Sequence, residues 1–135
     1  MNPSRDLPIP LESLPAQTVR SLGGQDIDEL QRAAARLGLR FVLAECSDCV
    51  DKESVLAAIG RAFELPPWYG TNLDALYDCL TDLPDRGAAG WIVVLARLPR
   101  SPGFGDDDRA ALLDVFRDAA SDFAGRGISL RVFHS

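Results

Sequence analysis

Apolar residues recur along the chain with two different periods, and the switches between them set out the elements. Ile27, Leu30, Ala33, Ala34 and Leu37 fall at helical spacing, behind Asp26 as a cap and ahead of Gly38 as a stop, which predicts a helix over 26–37. Residues 39–44, LRFVLA, form a short apolar run of the kind expected of a strand buried on both faces. Val55, Leu56, Ile59 and Phe63 return to helical spacing until Pro66 and Pro67 end it, because proline brings no N–H. A WYG loop then leads into a short third helix over 72–81. The strongest strand signal is WIVVLA at 91–96. Polar residues 99–108 are broken by glycine and proline and read as a loop. Ala110, Leu113, Phe116 and Ala120 mark a fourth helix, opened by Asp106, Asp107 and Asp108 in accord with the helix dipole and closed by Gly125 and Gly127. A last strand, ISLRVF, occupies 128–133.

The order strand, helix, helix, strand, helix, strand over 39–135 predicts an α/β fold: a three-stranded parallel sheet with right-handed crossovers and helices packed on it. Residues 1–38 add a tail and the first helix, packed on the same domain. The tail is irregular, since Pro3, Pro8, Pro10 and Pro15 interrupt it. Thr18, Val19 and Arg20 are a candidate short strand before Gly23 and Gly24, outside the count of three.

Composition narrows the function. The chain has 135 residues, 47% hydrophobic and 25% charged, which suits one globular domain. No apolar run approaches the roughly 20 residues a bilayer span requires, and the prolines and acids of the first residues are unlike a secretion signal. Fourteen basic against 20 acidic residues give a formal net charge of −6. That balance repels nucleic acid and anionic membrane surfaces and allows a basic protein partner. Three cysteines and one histidine are too few for a disulfide scaffold and suit a reducing compartment, so a cytoplasmic protein is expected.

The charge is unevenly placed. On a helical wheel of 72–81, Leu73, Leu76 and Leu80 share one side with Cys79 at its edge; Asp74, Asp78 and Thr81 share another, with Tyr77 on the border. Asp74 sits in the first turn behind Thr71 or Asn72, where the dipole accounts for a carboxylate. Asp78 is mid-helix, and its neighbours three and four positions away include Asp74 and Asp82 but no base. Like charges four apart cost a few tenths of a kcal/mol. Trp68 and Tyr69 precede this face, as the lid of the core or as an exposed anchor. Aromatics beside uncompensated carboxylates are the composition of an interface centre.

The segment WYGTNLDALYDCLTDL resembles the signature of the barstar family, intracellular protein inhibitors of barnase-type ribonucleases. The resemblance continues through the preceding strand and helix, the strand WIVVLA, the helix containing VFRDA and the last strand, from Leu39 onward. It implies that the loop and third helix plug a ribonuclease active site, acidic side chains standing in for substrate phosphates. Carried over by position, Asp78 matches the central acid, Asp74 its neighbour and Trp68 the loop aromatic. Gly70 and Asn72 match loop residues, Thr81 the helix-end threonine, and Asp118 the glutamate of the last helix, one methylene shorter. Tyr77 stands where the family prototype has tryptophan, Trp68 where it has tyrosine, and Asp82 where it has glycine, so the rim of the plug differs. The implied partner is a basic ribonuclease bound by a monomer without a cofactor.

Two other readings remain open. Cys46-Ser47-Asp48-Cys49 lies between a strand and a helix, the setting of a thiol–disulfide site. Glu45, Asp48 and Asp51 beside it would raise a thiol pKa, opposing that role. A metal would need two more ligands, and only Cys79 and His134 remain. His134, the only histidine, reads as a solvated terminal residue, so an enzyme is not expected. The third reading is a barstar fold that binds some other protein.

Overall fold

A computed structural model describes residues 10–66, 69, 72–83 and 89–135. After a single 3₁₀ turn at Leu11–Ser13 come β1 (Gln17–Ser21), α1 (Ile27–Leu37), β2 (Arg40–Glu45), α2 (Lys52–Ala62), α3 (Leu73–Thr81), β3 (Gly90–Ala96), α4 (Asp106–Gly125) and β4 (Ser129–His134). The helix ends follow the local chemistry. Asp26 caps α1 by accepting the Asp28 N–H at 2.9 Å, and Gly38 closes it at φ 70°. At α2 the Asp51 carboxylate accepts the Ser54 N–H at 2.8 Å while the Ser54 hydroxyl accepts the Asp51 N–H at 3.1 Å.

The sheet has four strands, not three: its order is β1-β4-β3-β2 and every pair is parallel. The added strand is the segment around Thr18, Val19 and Arg20. Only Thr18 of it is buried and Val19 half-buried, so it carries almost no apolar pattern. Pairing with β4 defines it, as Val19 lies beside Val132 and Arg20 beside Phe133. β4 runs one residue beyond the apolar run and takes in His134, which is half-buried rather than solvated; burial, then Arg109 and Arg117, lower its pKa.

Right-handed crossovers decide which face each helix covers. The chain steps from β2 to β3 to β4 in one direction across the sheet, so α2, α3 and α4 share a face; the step from β1 to β2 runs the other way and sends α1 to the opposite face. β3 is buried along its whole length and serves both layers. Trp91, Val93 and Leu95 join Val55, Ile59, Leu76, Leu80, Phe116 and Phe123 on one side. Ile92, Val94 and Ala96 meet Leu30 and Ala34 of α1, with Leu11, Leu14 and Phe133, on the other.

The loop over 99–105 is latched to the start of α2. The Ser101 hydroxyl donates to the Val50 carbonyl at 2.6 Å and the Lys52 N–H to the Gly103 carbonyl at 3.1 Å. Gly103 permits this approach, since a Cβ there would lie 2.7 Å from the Val50 oxygen.

Candidate functional site

α3 is held by its apolar side. Leu76, Cys79 and Leu80 are buried against the core, and the Asn72 side chain caps the helix by accepting the Ala75 N–H at 2.8 Å. Asp74 and Asp78 thereby face solvent, and Tyr77 lies half-buried between them. Leu73, placed with the core by its spacing, packs against it half-buried.

α4 packs beside α3 and buries Phe116, Ala119, Ala120 and Phe123, which turns Val115, Asp118, Ser121 and Asp122 toward α3. The two helices thus form the walls of one open groove of about 820 Å³, lined by Leu73, Asp74, Tyr77, Asp78, Val115, Asp118, Ser121 and Asp122. Among the described residues four carboxylates and no basic side chain line it. No ion pair among the described residues reaches Asp74, Asp78 or Asp118: on α4, Arg109 donates to the Leu98 and Pro99 carbonyls at 3.3 Å and Arg117 pairs with Asp114 at 2.9 Å, while Arg126, just past the helix, reaches the groove's Asp122 at 3.0 Å. The Arg126 contact is misaligned for a hydrogen bond, and it leaves Asp122 Oδ2 buried without one among the described residues.

Asp74, Tyr77 and Asp78 of α3 therefore share one surface with Asp118, forty residues beyond Asp78 in the sequence. Asn72 and Thr81 stand at the two ends of α3, outside the groove lining. The Thr81 hydroxyl lies 3.1 Å from the carbonyls of both Tyr77 and Asp78, tying it to its own helix. Trp68 and Gly70 lie outside the described residues. Asp122 is the residue sequence reading missed. Its signal is its spacing of four from Asp118 on one helix, which puts both on the same face.

The loop that enters α3 is anchored by Tyr69. Its ring packs on Gly60 of α2, and its N–H donates to the Pro66 carbonyl at 2.9 Å. The ring is half-buried and its hydroxyl has no hydrogen-bond partner among the described residues; burial, with Cys79 nearby, pushes the phenol up to about 12. Tyr69 is thus a lid of the core.

The cysteine pair sits elsewhere. Cys46 is fully buried and Cys49 half-buried, across a turn in which the Cys49 N–H donates to the Cys46 carbonyl at 3.0 Å. Burial first, and then Cys49, push the Cys46 thiol up to about 12, which removes it as a nucleophile near neutral pH. Among the described residues no cluster of three potential metal ligands occurs.

No curated protein matches the chain. A family model described as barstar, the barnase inhibitor, matches residues 39–135. That match runs from the residue before β2 to the end of the sequence, includes the whole α3–α4 groove and leaves outside it the 3₁₀ turn, β1 and α1. The chain belongs to the barstar family.

Proposed function

We propose that this protein is a proteinaceous inhibitor of a barnase-type ribonuclease, acting in the cytoplasm by plugging the enzyme's active site with α3 and the loop before it. The observation that carries the reading is the groove in which Asp74, Asp78, Asp118 and Asp122 converge with no basic lining residue among the described residues. A ribonuclease active site binds phosphates and presents cations, so carboxylates held at fixed positions on two helices are the complementary surface. Asp78, in the middle of α3, is the central contact, with Asp74 and Asp118 on either side and Tyr77 as apolar rim. Trp68, Gly70, Asn72 and Thr81 complete the contact surface along the loop and the helix ends. Charge steering is already established for the barnase–barstar pair; the proposal extends it to this chain.

The test is titration of small basic ribonucleases of the barnase type with the full chain. Stoichiometric inhibition that weakens with salt is expected, and Asp78→Ala should raise the inhibition constant at least about thirtyfold, the equivalent of about 2 kcal/mol for a hot-spot residue. Equal inhibition by Asp78→Ala removes the assigned role. Failure against every ribonuclease tried, with another basic protein bound through the same carboxylates, replaces the reading with a recruited barstar fold. The redox reading has less support, because the Cys46 thiol is buried and its proton held.

A further inference from the structure

The strand order leaves β2 at one edge of the sheet. Just past its end the Cys46 N–H donates to the Ala96 carbonyl on β3, and alternation along the strand turns the N–H and C=O groups of Phe41, Leu43 and Glu45 away from β3. Among the described residues these groups have no partner outside the strand. The edge carries no proline, lysine or bulge, and its charges stand only at its two ends, Arg40 and Glu45. In its middle Leu43 is 40% exposed, while the opposite edge, β1, shows solvent Gln17, Arg20 and Ser21.

We propose that β2 pairs antiparallel with β2 of a second copy of this chain, forming a weak two-fold dimer whose sheet continues from one copy into the other. The outward-facing residues are Phe41, Leu43 and Glu45, so the symmetric register centres on Leu43: it meets Leu43 of the second copy, and Phe41 meets Glu45. Charge selects a second copy as the occupant. β2 begins at exposed Arg40, whose guanidinium lies 5.7 Å over the Trp91 ring and has no carboxylate partner among the described residues. It ends at Glu45, which Arg97 of the same chain already pairs, so the open acidic charge at this end is exposed Asp48 in the following turn, which has no ion pair among the described residues. Opposite running directions bring each basic start to the other copy's acidic end, at both ends at once. A short two-strand contact buries little area, which puts the dimer in the concentration-dependent class. α4 lies over β1 and β4, so the α3–α4 groove stays open and the proposal stands independently of the inhibitor reading.

Sedimentation velocity of the full chain over a concentration series tests this. The mass is expected to rise from 14.6 kDa toward twice that value. Leu43→Lys, at an exposed position, should raise the dissociation constant at least roughly tenfold by setting like charges on the axis. Arg40→Asp should weaken the dimer similarly, and adding Asp48→Arg should restore it. In the wild type, amide exchange at Phe41, Leu43 and Glu45 should accelerate on dilution. A mass fixed at 14.6 kDa into the millimolar range overturns the proposal, as does a dimer indifferent to Leu43→Lys and Arg40→Asp while circular dichroism shows both variants folded.

Discussion

Gly60 and Tyr69 fit together with no room for a methyl group: a Cβ on Gly60 would lie 2.8 Å from Cε2 of the Tyr69 ring. The contact joins α2 to the loop that leads into α3. Overpacking a filled site costs about 1–3 kcal/mol, and alanine's helix preference over glycine returns about 1 kcal/mol. Gly60→Ala should therefore leave the protein less stable by up to about 2 kcal/mol in urea unfolding and should shift the Tyr69 ring resonances. A stabilised variant would show that the ring can move aside freely.

The groove carboxylates should be nearly silent for folding. Asp74, Asp78 and Asp118 are exposed and have no ion pairs among the described residues, and Asp74 and Asp78 repel each other across one helical turn. Each alanine variant should unfold within about 0.5 kcal/mol of wild type, Asp78→Ala being slightly stabilised. Calorimetry beside the inhibition assay separates the two effects. A loss of several kcal/mol at Asp78 would mean that its charge serves the fold.

Stability should fall on both sides of a neutral plateau. Cys46 and Tyr69 bind their protons more tightly when folded, up to about 12 for each against ordinary values of 9.0 and 10.0. Their contribution is complete below pH 9 and is lost as pH rises toward 12. His134 is depressed below 6.5, so its contribution is present above that pH and is lost as pH falls through its lower folded value. Urea midpoints from pH 5 to 11 should trace this shape. Cys46→Ala, tested alongside, should flatten the alkaline limb, and an unchanged limb would assign it to other groups.

Alkylation at pH 8 should mark Cys49 well before Cys46, since Cys46 has no exposed surface and holds its proton. Mass spectrometry of a time course reads the order. Equal rates would restore the pair as a redox candidate. An insulin-reduction assay unaffected by Cys49→Ser would remove it.

The N-terminal segment should prove integral to folding. Leu30 of α1 is buried against the face formed by Ile92, Val94 and Phe133, all with no exposed surface. Leu30→Ala should cost about 2–5 kcal/mol, and a chain begun at residue 39 should aggregate through the uncovered face. A stable, soluble truncated chain would make residues 1–38 a dispensable appendage.

By itself the sequence determined what local chemistry controls. Helical spacing with Asp26, Gly38 and Asn72 marked α1 and α3 to within a residue or two, and unbroken apolar runs marked β2 and β3. The distribution of acids and leucines on α3 showed which side would face solvent, because that side depends only on the 3.6-residue period. β1 was scarcely legible, since Gln17, Arg20 and Ser21 are exposed and only hydrogen bonds to a strand more than a hundred residues away make the segment a strand. Leu73 carried a core pattern and does pack against the core, half-buried, while its other side lines the groove. Tertiary structure alone decided that Asp118 and Asp122 stand across from Asp74 and Asp78, and that β2 is left at an edge. Both follow from which strands pair and in what order, and that order is set by contacts between distant segments that no local period records.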